Sequence, residues 1–124
     1  MNGIDFFVDT NILIYIMDGR PEVSLISKFL LGVSVISEIE LLGRKNIVPH
    51  EVNLIRNILK ECEIIDFNDT IKEIAISIKQ KYTVKIPDAI IVATAKYFNL
   101  PLVTADIDLK KIRDANIVIL DLQK

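Results

Sequence analysis

The sequence predicts an α/β domain in which a central parallel β-sheet is flanked by α-helices on both faces, a three-layer α/β/α arrangement. Three observations predict it. Short β-prone apolar runs recur along the chain, and apolar stripes at helical spacing lie between them. No Gly/Ser/Pro-rich linker, repeat or low-complexity tract interrupts the 124 residues, whose four Gly and four Pro act as local punctuation. Short apolar strands alternating with helices form parallel sheets buried on both sides. With a prior of roughly 150 residues per domain, residues 1–124 make a single domain.

The elements follow in order. Ile4-Asp5-Phe6-Phe7-Val8 reads as the first strand. Asp9-Thr10-Asn11 then opens either a helix over Ile12–Ile16 or the turn of a hairpin, and the βα alternation elsewhere favours the helix. Val33-Ser34-Val35-Ile36 is the second strand, with Ser37-Glu38-Ile39-Glu40 as a capping box that starts the next helix. Pro49 suits the first turn of a helix carrying Val52, Leu54, Ile55, Ile58 and Leu59. Glu63-Ile64-Ile65 is a third strand. Ile71, Ile74, Ile78 and Tyr82 form a stripe opened by Thr70-Ile71-Lys72-Glu73 as a second capping box. Ile86 to Phe98 is apolar on most sides, hence a buried helix, closed by Asn99 and Pro101. Leu102-Val103 and Ile117-Val118-Ile119 complete the strands.

Composition narrows the classes. Fifteen Lys+Arg against seventeen Asp+Glu give a net charge of −2, which excludes a domain that binds nucleic acid by overall positive charge while allowing a local basic face. Apolar residues make up 51% of the chain, too many for a disordered one. No stretch approaches the ~20 apolar residues of a membrane span. Asp5 and Asp9 interrupt the apolar N-terminal run and no basic region precedes it, so it does not read as a signal peptide. Cys62 is the only cysteine, which removes internal disulfides and thiolate metal clusters. The expectation is a soluble cytoplasmic domain without membrane contact or organic cofactor.

Four acids fall where open α/β sheets bind ligands, beyond the carboxyl ends of strands. Asp9 follows the first strand and Asp106 follows Leu102-Val103-Thr104. Glu40 is expected in the first turn after the second strand, and Asp88 follows Pro87 at the start of the buried helix. Each has a local account: a capping box for Glu40, the macrodipole for Asp88, turn chemistry for Asp9 and Asp106. Together they say more, because clustered carboxylates must take up protons or hold a cation. All-oxygen ligands point to Mg²⁺ or Mn²⁺ rather than zinc. Divalent ions held in this way activate a water and stabilise the phosphoryl oxygens of an in-line displacement. Thr10, Ser37 and Thr104 offer hydroxyls to orient ligands or water, although hydroxyls beside strand ends also satisfy local backbone groups.

These residues resemble a known family. Phe7-Val8-Asp9-Thr10-Asn11-Ile12-Leu13 resembles the opening motif of PIN domains, especially VapC-type toxin ribonucleases. The segment from Ser34 to Gly43 is similar to their second motif, in which the acid before the Leu pair is functional, selecting Glu40 over Glu38. Ile86-Pro87-Asp88-Ala89 and the residues to Ala95 resemble the third motif, and Leu100 to Leu109 the closing one. The resemblance runs from about Phe6 to Ile112, with the four motifs in the expected order. It implies a helix-sandwiched parallel sheet and Mg²⁺- or Mn²⁺-dependent endonucleolytic cleavage of RNA. It also implies a homodimer and neutralisation by a small antitoxin protein. Carried onto this chain, Asp9, Glu40, Asp88 and Asp106 are the catalytic, metal-binding acids. Thr10, Thr104 and Asn11 support them. The closing motif often has Asn where Asp106 stands and an acid just after it, so Asp108 shares that role.

An acidic protein that cuts RNA needs cations against phosphate. Lys85, three residues before Asp88, is best placed, followed by Arg44 and Lys45 after the second motif. Lys79, Lys81, Lys110, Lys111 and Arg113 also flank the motifs. Few aromatic residues are present, which argues against an extensive base-stacking platform. His50 reads as a surface residue and Cys62 as a packing one. Apolar surface in excess of what a chain this size buries points to an interface on Asn11–Leu31 or on Val52–Leu59. Two other readings share the fold: a phosphoacceptor signalling domain, with Asp66 as its only contender for the acceptor, and an inert PIN-fold binding module.

Overall fold

A computed structural model describes residues 3–122 and places five strands in one sheet of order β3-β2-β1-β4-β5. The strands are β1 (Phe6–Val8), β2 (Leu31–Ser34), β3 (Cys62–Ile65), β4 (Leu102–Thr104) and β5 (Ile117–Ile119). All four pairings are parallel, with Phe7 opposite Gly32 on one side and Leu102 on the other. The helices are α1 (Thr10–Met17), α2 (Val35–Leu42), α3 (Pro49–Lys60), α4 (Asp69–Lys81) and α5 (Ile86–Tyr97).

The period-2 alternation of the strands divides the core in two. Phe7 and Leu102 face one side, where they pack with Ile71 and Ile78 of α4 and with Ile91 and Val92 of α5. Val8, Val33 and Val103 face the other, against Ile12 and Leu13 of α1, Leu41 of α2 and Ile55 of α3. Each fully buried Leu, Ile or Phe contributes roughly 1.5–3 kcal/mol, so both layers are needed. Gly32 lets the sheet close here. A Cβ at that position would stand 3.0 Å from Phe7 Cδ1 and 3.2 Å from Ile4 Cγ2.

The three-layer parallel fold is as expected, and α1 decides between helix and hairpin: Asp9 Oδ1 accepts from Ile12 N–H at 3.0 Å and caps a helix. Several boundaries differ from the sequence reading: β1 starts at Phe6 rather than Ile4, and α1 runs Thr10–Met17 rather than Ile12–Ile16. The second strand runs Leu31–Ser34, because Ser34 Oγ accepts from Ile36 N–H at 3.0 Å and turns the chain into α2. Val35 and Ile36, β-branched and so read as strand, form the first helical turn. Ser37 is therefore inside α2 rather than its cap, and Glu40 lies in the second turn rather than the first. Asn68, not Thr70, caps α4, its Oδ1 accepting from Ile71 N–H at 2.8 Å.

The order reverses at β1, from which the chain builds β2 and β3 on one side and β4 and β5 on the other. That reversal opens a crevice beyond the carboxyl ends of β1 and β4. Among the described residues no helix is long and apolar enough to cross a membrane.

Candidate metal centre

The crevice holds a hollow of about 300 Å³ lined by Asp9, Thr10, Asn11, Glu40, Lys85, Pro87, Asp88 and Asp106. Each acid reaches it from a different element. Asp9 is the residue after β1, Glu40 comes from α2, Asp88 from the first turn of α5, and Asp106 from the turn after β4. Glu38 is on the other side of α2, beside Arg56, Leu59 and Lys60 of α3.

Asp9 is the most enclosed of the four, 5% exposed. Its Oδ1 takes the Ile12 N–H, and its Oδ2 takes the Thr104 hydroxyl at 2.5 Å. Thr104 Oγ1 in turn accepts from Asp106 N–H at 3.0 Å, so one buried hydroxyl links two of the acids. Asp106 Oδ1 accepts from Asp108 N–H at 3.0 Å and caps a short 3₁₀ helix over Ile107–Lys111.

A second chain of hydroxyls holds Glu40. Thr10 Oγ1 donates to Glu40 Oε1 at 2.6 Å and lies 2.8 Å from Ser37 Oγ. Thr10 has one proton, and an ionised carboxylate can only accept it, so Ser37 donates to Thr10. Ser37 is fully buried and three residues from Glu40, on the same face of α2.

The electrostatics of the hollow are those of an acid cluster that one ammonium, Lys85, offsets only in part. Burial pushes the Asp9 carboxyl above its ordinary 3.8, the Thr104 and Ile12 hydrogen bonds oppose this, and repulsion from Asp88 and Asp106 adds to it. Burial also raises Asp88, helped by repulsion from Asp106 and Glu40 and opposed by the Lys85 ammonium. Four oxygen-donor side chains with that charge match a hard divalent cation in kind. They are not drawn into a closed set, however: among the described residues no three His, Cys, Asp or Glu side chains are gathered to hold a metal as they stand.

The other sequence candidates are distributed as follows. Asn11 and Lys85 line the hollow, and the Lys85 ammonium makes no hydrogen bond or ion pair among the described residues. Arg44 and Lys45 do not line it. Arg44 donates to Leu41 O at 3.1 Å and pairs with Glu51 at 3.3 Å. The Asp108 carboxylate pairs with Lys111 at 3.0 Å and borders a neighbouring hollow instead. Pro87 is a wall residue that the sequence reading passed over; its place one residue before Asp88, in the first turn of α5, was the available signal. His50 is exposed on α3. Burial pushes the Cys62 thiol up to about 11, and it donates to Ile58 O at 3.5 Å, a packing environment rather than a reactive one. Asp66 follows β3, an edge strand, and accepts from Phe67 N–H at 2.8 Å, outside the hollow of the four acids.

Comparison with known proteins agrees with this fold. A toxin-antitoxin complex from Klebsiella pneumoniae contains a chain 31% identical to this one, covering 94% of this chain and 98% of that one, with a TM-score of 0.80. DNA-bound VapBC from Salmonella typhimurium matches at 18% identity over 95% and 99% of the two chains, TM-score 0.82. VapBC2 from Rickettsia felis, bound to a promoter DNA fragment, matches at 23% over 95% and 100%, TM-score 0.78. At these last two identities the likeness is one of fold. No curated protein matches the sequence. The family model for the PIN domain matches residues 6–115, all four acids included, and the chain belongs to the PIN domain family.

Proposed function

We propose that this protein is a Mg²⁺- or Mn²⁺-dependent endoribonuclease and the toxin of a toxin–antitoxin pair, acting in the cytoplasm as a homodimer that a small antitoxin protein neutralises. The observation that carries the reading is the convergence of Asp9, Glu40, Asp88 and Asp106 on one hollow at the sheet's reversal point, with two of the carboxyls raised by burial and mutual repulsion. The similarity to a chain of a toxin–antitoxin complex supports the toxin assignment.

The four carboxylates would hold the cation, with water completing its shell because they do not close around it. When bound, such an ion supplies charge neutralisation at the phosphodiester and a more acidic water. The remaining work belongs to the chain. Thr104 fixes Asp9 and Asp106 relative to each other, and the Ser37–Thr10 hydroxyl chain fixes the rotamer of Glu40. Lys85 offers an unpaired ammonium at the rim to the incoming phosphate. The exposed Leu25, Phe29 and Leu54 lie on the two segments proposed as partner surfaces.

The test is cleavage of a mixed pool of structured RNAs and messenger RNA, with Mn²⁺ or with chelator, by wild type and Asp88→Asn. Cleavage that requires both the metal and Asp88 is the expected result. An activity that survives chelator and Asp88→Asn alike overturns the assignment. The edge position of Asp66 disfavours a phosphoacceptor, which ends a middle strand.

A further inference from the structure

Beside the acid hollow lies a second one of about 440 Å³, which shares Lys85, Asp88 and Asp106 with it. Its floor is apolar, formed by Val84 and Leu109, and Lys79, Thr83 and Asp108 complete its rim. Three contacts make the walls rigid. Lys79 Nζ donates to Val84 O at 2.7 Å, while Lys111 Nζ donates to Thr83 O at 2.6 Å and pairs with Asp108 at 3.0 Å. The α4 end, the loop before α5 and the 3₁₀ helix after β4 are thus tied together without filling the space between them. The Lys111 pairing also offsets the charge of Asp108.

We propose that this second hollow seats a single unpaired ribonucleotide of the strand whose phosphodiester lies in the acid hollow. The inference rests on the endoribonuclease reading and adds the side of the acid hollow toward which the strand runs and the residues that seat its nucleotide. Charge sets the direction. Away from Lys85 the acid hollow is bounded by Thr10, Asn11 and Glu40, which offer no cation, whereas toward the second hollow stand Lys85 and Lys79. Size and chemistry set the occupant. The volume lies in the ~300–1,000 Å³ range of small-molecule sites, enough for one base and sugar but not for a base-paired helix. A splayed base finds an apolar floor in Val84 and Leu109, and the Thr83 hydroxyl, which makes no hydrogen bond among the described residues, is available to its polar edge.

The experiment titrates a single-stranded RNA hexamer of mixed sequence into the full chain with Ca²⁺ in place of Mg²⁺, checking that the RNA is intact at the end. Amide shifts are expected at Thr83, Val84, Lys85 and Leu109. Lys85→Gln and Lys79→Gln should each weaken binding several-fold and lower the salt slope by about 0.7, one single-strand phosphate contact apiece. Lys60→Gln, at the distant end of α3, should do neither. Because Lys79 also braces Val84, Lys85→Gln is the deciding variant and a thermal melt accompanies the other. Shifts confined to Asn11 and α1, affinity for a duplex equal to that for the hexamer, or a Lys85→Gln slope equal to that of Lys60→Gln would each overturn the proposal. The two readings fail separately: metal-dependent cleavage with any of those results leaves the nuclease and removes the subsite. Shifts at Thr83 and Leu109 without cleavage of any RNA would retain the subsite and remove the nuclease.

Discussion

The Thr104 hydroxyl donates to Asp9 Oδ2 across 95 residues of sequence and, through its own oxygen, accepts from the Asp106 amide. It is the side-chain link between the carboxyl ends of β1 and β4, and both of its partners line the acid hollow. An uncharged hydroxyl thus ties the Asp9 carboxylate to the backbone that carries Asp106, whose own carboxylate repels it.

Thr104→Val keeps the shape and removes that link. Asp9 Oδ2 would lose its partner in a buried place, which costs ~1–3 kcal/mol, and the half-buried Asp106 amide would lose one that water can partly replace. A chemical denaturation midpoint well below wild type is expected, together with weaker Mn²⁺ binding. An unchanged midpoint would mean that water replaces the hydroxyl at no cost.

Asp88→Asn should do the opposite to stability. The Asp88 carboxylate makes no hydrogen bond among the described residues and is raised by burial and by its neighbours, so neutralising it relieves repulsion. We expect a metal-free melting temperature equal to or above wild type, loss of the metal-induced rise in melting temperature, and loss of cleavage. Unfolding of this variant would show that Asp88 is structural.

The pH dependence of the metal-free protein has a defined sign. Asp9 and Asp88 titrate above 3.8 when folded, so between 3.8 and their raised values the native state binds more protons than the unfolded one. Stability therefore falls as pH rises through that window and levels off above it. Asp114 works the other way, held below 3.8 by its Lys81 and Tyr82 hydrogen bonds, and its contribution is lost as pH falls through its folded value. Melts across the acid range should show a descending limb that divalent metal, or Asp88→Asn, flattens. A limb that rises with pH through the same window would contradict the acid cluster.

Glu40→Gln and Glu38→Gln separate two acids two residues apart. Glu40 lines the acid hollow and Glu38 lies toward α3, so the first should lose most of its cleavage and the second little. Ser37→Ala, which touches no substrate position, should lower cleavage about tenfold by releasing Thr10 and Glu40, the scale of one ~1.4 kcal/mol contact. Equal losses for both glutamates would place the functional acid in another register.

Gly32→Ala tests the sheet rather than the site. The added Cβ would meet Phe7 Cδ1 at 3.0 Å inside a fully packed layer, and overpacking of this kind costs ~1–3 kcal/mol. A lowered melting temperature with metal affinity retained is expected.

Much of this molecule was legible before its structure. Strand–helix alternation gave the parallel sheet because period-2 and period-3.6 apolar patterns cannot be exchanged without exposing the core. The acids could be located in outline because parallel strands bring their carboxyl ends to one edge. Local boundaries were less legible. Ser34 and Ser37 both stand ahead of apolar helical residues, and which of them caps α2 depends on where β2 stops pairing with β1 and β3.

The sequence by itself determined the fold class and the order of the four acidic motifs, and it singled out Asp9, Glu40, Asp88 and Asp106 as candidates. Only the tertiary structure decided how they are held. The Thr104–Asp9 and Ser37–Thr10–Glu40 hydrogen bonds join elements far apart in the chain, and whether two hydroxyls meet at 2.8 Å depends on how α1 packs on α2. It likewise decided that Lys85 faces the acids while Arg44 turns to Glu51. Both are cations beside a motif, and side-chain direction is set by helix rotation and burial, which no local pattern of residues records.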